Sequence, residues 1–441
     1  MMITLQTGGR ALMSDPNDKK KFYKNPPSKS FCIIPWIHMH HWPNGNVYQC
    51  CITDMRNVAG NLKDNTMDEI WNNDHYKKLR LDLLDGKKPK SCMKCYEQEG
   101  KGIRSFRKNA NWTFDHHLYP KAEQTNPDGS LDKMDLIYWD FRFSNLCNMK
   151  CRMCGGHLSH LWHEDEKKLY KRTSENSAIV HVNDFSKQDI KKVIDSNLHM
   201  VEEVYFAGGE PLIMDEHYYI LEQLIAKGRK DVKIRYNTNF MKINYKKWKC
   251  VDLWKHFNLV QIMASIDDIG PRAEYIRKGT RWDKIEENFA EVLKHKDIVQ
   301  LNVSPTIQLL NVWHMPEYVE KMFELGLKIN NLHISNVLTN PDWYHMKTMP
   351  TELKHTVHQK LDAHLDKYKN DKDIYEKLEW YYKSIKDYLW TEFPDNHKAN
   401  VHRDFLRITN KLDEIREENF LETFPELAPH YNRTDFDVGK Q

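Results

Sequence analysis

Residues 144–159 read SNLCNMKCRMCGGHLS, and directly ahead of them stands LIYWDFRF (136–143). The octapeptide is mostly aromatic and aliphatic, which is the pattern of a strand buried in a sheet. Cys147, Cys151 and Cys154 then follow at spacings of four and three. Three thiols within eight residues do not pair off as disulfides, and they are one short of a closed four-ligand metal site. Thiolates also hold iron–sulfur clusters, normally four of them for four irons. With three, one iron keeps an open position for a substrate, as catalytic zinc does. A structural zinc site that borrows a distant ligand such as His157 is the other reading of this loop.

Beyond the loop, strand patterns alternate with helical ones. Strands are expected at 136–143, 201–207, 233–237, 259–266, 299–307 and 331–335. Between them, one helix begins near Asp283 and carries Ile285, Phe289, Val292 and Leu293 on one face; another opens with Pro316 and closes at Gly326. Alternating β and α units imply a parallel sheet with right-handed crossovers. Such sheets present their chemistry at the carboxyl ends of the strands, where the cysteine loop falls. The expected fold class is α/β: a partial (β/α)6 barrel at 136–340, preceded by a small cysteine-rich domain and followed by helices over 341–441. Residues 1–30 are expected as a disordered lead-in, 31–105 as the cysteine-rich domain and 106–135 as a linker with a turn at TNPDGS. No internal repeat is present.

The second expected strand runs into FAGGEPL (206–212). Gly208 and Gly209 permit close approach of the backbone to a ligand, Glu210 places a carboxylate there, and Pro211 follows. A Gly-Gly turn before a helix is common by itself. Paired with C-x3-C-x2-C one strand earlier, it resembles the radical S-adenosylmethionine (radical SAM) enzymes, whose signature is that cysteine motif followed by G-G-E-P. The resemblance covers about residues 136–340. It implies that Cys147, Cys151 and Cys154 hold a 4Fe–4S cluster, and that the amino and carboxylate groups of SAM occupy the open iron beside Gly208, Gly209, Glu210 and Pro211. Met153 stands where the family usually has an aromatic. ASIDDIGPRAEYIRKG (264–279) resembles the family's S-x-D-G segment followed by an Arg, with Asp268 in place of the Gly. This resemblance implies Ser265 and Asp267 as ribose contacts and Arg277 as partner of the SAM carboxylate. The strand ends YNTNF (236–240) and SPTIQLLN (304–311) add Asn237, Thr238, Asn239, Thr306 and Gln308 to the same mouth. Capping or turn chemistry for the hydroxyls, and a salt bridge for Arg277, are the alternatives.

Eight of the nine cysteines fall in two groups, with Cys250 alone. The earlier group reads Cys32, twelve residues, Gly45, four residues, Cys50, then Cys51, and later CMKC with Cys92 and Cys95. With CIIPWIHMHHWPNGNVYQCC and GNLKDNTMDEIWNN around it, this resembles the SPASM and twitch domains of radical SAM enzymes, which hold auxiliary iron–sulfur clusters. The shorter twitch form, with one cluster on Cys32, Cys50, Cys92 and Cys95, fits the cysteine count, with Cys51 as alternative to Cys50. Here the domain precedes the barrel, whereas it usually follows. Zinc is the alternative for this group as well. His38, His40 and His41 are expected as solvated loop residues, with metal ligation the alternative, and TMDEIWNNDHYKKLRLDLLDG (66–86) as a helix closed by Gly86.

Lys and Arg total 66 against 63 Asp and Glu, a net charge of +3, which argues against a dedicated nucleic-acid binder. No apolar run reaches membrane-spanning length, and the N-terminus has no signal-peptide core. A reducing cytoplasm is therefore expected for the cysteines. The resemblance implies two 4Fe–4S clusters, SAM and an electron donor such as flavodoxin or ferredoxin. It also implies reductive cleavage of SAM to a 5′-deoxyadenosyl radical that abstracts hydrogen from a substrate. A peptide or protein is the first expectation for that substrate. A small metabolite or carbohydrate, or a non-catalytic iron–sulfur electron-transfer protein, is the alternative.

Overall fold

The structure is a computed structural model that describes residues 26–431 apart from 101, 103, 171–178, 185, 187 and 188. Most of the expected lead-in and residues 432–441 lie outside the described residues. One eight-stranded sheet organises the chain. Its strands are β1 (His40–His41), β2 (Asn46–Tyr48), β3 (Gly60–Asn61), β4 (Tyr138–Phe141), β5 (Glu203–Phe206), β6 (Lys233–Thr238), β7 (Val260–Ala264) and β8 (Val299–Val303). The spatial order is β8-β7-β6-β5-β4-β1-β2-β3. From β4 to β8 all neighbours are parallel, as the alternating pattern requires. Every residue of β4 is buried, and helices such as Asp215–Ala226, Trp282–Val292 and Met315–Glu324 form the crossovers.

The sixth expected strand is displaced. Residues 331–335 make only a bridge, Leu332 to Val303, and pairing resumes at Asn336–Val337 beside Thr306–Ile307. The barrel is thus five parallel strands closed by a broken sixth position.

The N-terminal segment does not form a separate lobe: it extends the barrel sheet. Strand β1 pairs in parallel with β4, matching His40 with Asp140 and His41 with Phe141, and β2 and β3 continue antiparallel. This corrects the expectation that His38, His40 and His41 are solvated, since they are 0%, 2% and 0% exposed. A strand inserted between two paired neighbours loses its solvent face on both edges. Burial pushes the His38 imidazole down to about 4 and the His41 imidazole down to about 3.

The helix expected over 66–86 is two helices, Met67–Trp71 and Asp74–Leu84. Thr66 forms a capping box with Glu69 in the first, and Asn73 caps the second by accepting from the Tyr76 N–H. Residues 106–135, expected as a linker, hold helices Phe106–Thr113 and Leu118–Glu123. Asn111 accepts from the Ile33 N–H and donates to the Phe31 carbonyl, tying this stretch to the cysteine-rich segment. Helices Thr351–Lys367, Lys372–Leu389 and Asp395–Arg416 occupy the expected helical region. The last reaches back to the cysteine loop. Buried Arg152 pairs with Asp413 and Glu418 (2.7 Å) and lies 3.6 Å from the Tyr275 ring centroid.

Candidate active site

The loop after β4 is closed onto the end of β5 by the backbone. Gly209 donates to the Ser144 carbonyl (3.2 Å) and Glu210 to the Leu146 carbonyl (2.7 Å). A side chain at 209 would put its Cβ 2.1 Å from the Leu146 oxygen, so only glycine fits. Gly208, at φ +127°, turns the chain into this contact. The two motifs are thus one physical unit, which zips the cysteine loop to the neighbouring strand.

Cys147, Cys151 and Cys154 line one cavity at the carboxyl ends of the strands. Gly208, Gly209, Asn237, Thr238, Asn239, Ser265, Arg277 and Thr306 share it. Asn239 Nδ2 lies 3.9 Å from the Cys147 sulfur and Arg277 Nη1 3.6 Å from that of Cys151. A hydrogen bond from Cys154 and the Arg277 guanidinium lower the Cys151 thiol to about 7, whereas burial pushes Cys147 up to about 12.

Glu210 and Asp267 sit behind the wall and not in it. One Glu210 oxygen accepts from the Thr238 hydroxyl (2.7 Å) and the Leu212 N–H (3.0 Å), the other from the Asn239 N–H (2.7 Å). Burial raises its carboxyl to about 7. Asp267 accepts twice from Arg277 (2.8 and 3.0 Å) and once from the Thr306 N–H (2.8 Å). Each carboxylate therefore positions lining residues: Glu210 holds Thr238 and Asn239, and Asp267 holds Arg277. Pro211 begins the short turn after Glu210, and Gln308 is fully buried, its side-chain amide without a hydrogen-bond partner among the described residues. Asp268 accepts from the Ile269 N–H and pairs with Arg272 at 3.1 Å. The positive φ of this turn falls at Gly270.

The opposite wall comes from the N-terminal segment, through His40, Trp42, Cys51, Ile52 and Met55, together with Arg142 and Tyr205. Asp140 anchors it, bonded to His40 Nδ1 at 3.1 Å and to Arg142 Nε at 2.8 Å. Sequence reasoning missed this wall. Its signal was the charged pair Asp140 and Arg142 inside an otherwise apolar strand.

Cys50 and Cys51 diverge. Burial raises both thiols. The further neighbours acting on Cys50 are Cys51, Cys95, Cys92 and Cys32, whereas those on Cys51 are Asp140, Arg142 and Cys95. Cys50 thus has all three other thiols of the group as neighbours, and Cys51 lines the barrel cavity. Gln49 Nε2 approaches the Cys92 sulfur at 3.8 Å, and the Arg107 charge bears on Cys32, Cys92 and Cys95.

The radical SAM superfamily model matches residues 141–322, and the iron–sulfur cluster-binding SPASM model matches residues 32–96. The chain carries a radical SAM domain. An iron–sulfur-binding SPASM domain precedes it. No curated protein matches. Similar solved structures include native anSMEcpe with bound AdoMet and Cp18Cys peptide, 15% identical, with 53% of this chain and 60% of that one covered and a TM-score of 0.32. The same protein with Kp18Cys peptide is 16% identical, with 54% and 61% covered and a TM-score of 0.33. Streptococcus suis SuiB bound to precursor peptide SuiA is 13% identical, with 79% and 67% covered and a TM-score of 0.31. The chain spans about 60% of the length of the first of these. Among the described residues no helix is long and apolar enough to cross a membrane.

The donor sets of both domains suit iron–sulfur clusters. Among the described residues the groups close enough to share a single ion are His38, His40 and Asp140, and His116, His117 and Glu202; the thiols are in neither. In the radical SAM domain, His157 is exposed and stacks on Trp42.

Proposed function

We propose that Cys147, Cys151 and Cys154 hold the SAM-binding 4Fe–4S cluster, that Cys32, Cys50, Cys92 and Cys95 hold an auxiliary one, and that the enzyme abstracts hydrogen from a peptide or protein in the cytoplasm. When bound, the first cluster and SAM supply reductive sulfonium cleavage and the 5′-deoxyadenosyl radical. This chain's own residues orient and enclose that chemistry. Arg277, fixed by Asp267, offers a buried positive charge for a carboxylate. Thr238 and Ser265 offer hydroxyls, and the Gly208–Gly209 backbone leaves room for close approach. Asn239 and Arg277 point N–H groups at thiol sulfurs, which favours the thiolate.

The observation that carries the reading is the shared cavity, with the three-thiol loop on one wall and Trp42, Ile52, Met55, His40 and Arg142 on the other. Apolar surface beside a fixed cation suits an amino-acid side chain presented from outside, which supports a peptide or protein substrate. The test is anaerobic reconstitution with iron and sulfide, followed by dithionite and SAM. 5′-Deoxyadenosine is the expected product. Fully assembled clusters that yield none would overturn the proposal.

A further inference from the structure

Residues 85–108, DGKKPKSCMKCYEQEGKGIRSFRK, carry eight Lys and Arg against three Asp and Glu, more net positive charge than the +3 of the whole chain. The segment brackets Cys92 and Cys95. Arg104, Arg107, Lys108 and Trp112 meet Lys29 around one outward-facing concavity. Lys29, Arg104 and Lys108 are exposed, and Trp112, 37% exposed, lies 5.2 Å from the Arg104 guanidinium. Among the described residues none of these three cations has a carboxylate partner. Arg107 differs: it pairs with Glu99 and forms the floor. Its inner side lies 5.2 Å from the Tyr96 ring, and its charge reaches the Cys32, Cys92 and Cys95 thiols. One buried side chain thus separates the concavity from the thiol quartet. Lys88, 5.3 Å from the same Tyr96 ring, extends the positive rim.

Unpaired cations around an exposed indole form a surface for an acidic protein, because such a field steers encounter and an aromatic anchors it. The 25 residues ahead of Pro26 carry five Lys and Arg against two Asp, so their own charge disfavours them as the occupant. We propose that this basic concavity docks an acidic one-electron carrier protein and admits its electron at the quartet. The proposal rests on reading Cys32, Cys50, Cys92 and Cys95 as a redox cluster. One electron leaves the carrier, which is oxidised, and enters the cluster, which is reduced; no bond forms or breaks.

The test compares reconstituted wild type with a Lys29→Glu, Arg104→Glu, Lys108→Glu variant. Cluster reduction is followed by stopped flow with reduced flavodoxin and, separately, with dithionite. The flavodoxin-driven rate at low salt is expected to fall about tenfold or more, with a flattened salt dependence. The dithionite-driven rate and 5′-deoxyadenosine yield are expected to stay unchanged. A Lys29→Arg, Arg104→Lys, Lys108→Arg variant should keep the wild-type flavodoxin rate. A wild-type flavodoxin rate and salt slope in the charge-reversed variant would overturn the proposal. So would an equal loss with both reductants, because the residues would then serve the cluster itself. A loss confined to turnover of an acidic peptide under dithionite would assign the surface to substrate and also overturn it. Failure of the radical SAM reading shows separately, as wild type that dithionite reduces but that forms no 5′-deoxyadenosine.

Discussion

The two thiol groups are built by opposite means. Cys147, Cys151 and Cys154 come from one loop, fixed by the backbone zipper to Gly209 and Glu210 and clamped from outside by the Arg152–Asp413–Glu418 network. Cys32, Cys50, Cys92 and Cys95 come from three separate stretches, held by the pairing of β1 with β4 and by the Asn111 bonds to Ile33 and Phe31 beside Cys32. The first group is local and offers three thiols; the second is assembled by the fold and offers four. The geometry of the first therefore rests on its own loop, and that of the second on distant packing.

The largest effect that separates them is on chemistry. Replacing Cys147, Cys151 and Cys154 by Ala should abolish 5′-deoxyadenosine formation while about four of roughly eight irons per chain remain. Iron and sulfide analysis with product assay checks both halves. Next in size, Cys50→Ala should remove about four irons, whereas Cys51→Ala should keep about eight, since Cys51 faces the cavity. Equal iron loss in both variants would return the ligand assignment to the adjacent pair as a whole.

A steric probe follows. Gly209→Ala forces a Cβ against the Leu146 carbonyl and should cost roughly 3 kcal/mol or more, with iron lost from the loop and kept in the quartet. Denaturant unfolding together with iron analysis reads it, and unchanged stability would mean that the two motifs are not coupled.

The smallest effects are those of pH, and here the two regions differ in sign. Burial raises the Asp268 carboxyl to about 7 from an ordinary 3.8. The native state then holds a proton that the unfolded chain releases, so stability falls as pH rises from about 4 to about 7. Between pH 5 and 8 the loss is roughly 2–3 kcal/mol, and Asp268→Asn should remove it. His41 is pushed down to about 3 by burial. The unfolded chain takes up its proton first, so its contribution is lost as pH falls below about 6.5. At pH 5 that loss is about 2 kcal/mol, and His41→Phe, which keeps the stacking on Phe141, should remove it. Thermal unfolding of both variants against wild type across pH 5–8 checks the opposite slopes; parallel slopes would contradict them.

What the sequence made legible follows the same division. Spacing alone identifies Cys147, Cys151 and Cys154, and the Gly-Gly turn needs only one neighbouring strand to become meaningful. The sides of Cys50 and Cys51 were not decidable from spacing, because the pair follows the end of β2 at a turn and only the fold says which side each takes. His38, His40 and His41 misled because polar residues between turn signals look solvated; His40 and His41 are buried by pairing with Asp140 and Phe141, and His38 by stacking on Tyr138, about a hundred residues later. Glu210 and Asp267 lie at the ends of β5 and β7, as their positions after those strand patterns lead one to expect. Whether a carboxylate faces the cavity or braces its wall depends on rotamers and partners, which the sequence does not carry.

The account stands on one site being open and catalytic and the other closed. Its most direct test is 5′-deoxyadenosine formation from SAM under dithionite in two reconstituted variants: the Cys147, Cys151, Cys154 triple alanine and a Cys92→Ala, Cys95→Ala double. No product from the first and continued product from the second is the predicted result. Product from the triple variant, or its loss only in the double variant, would contradict it.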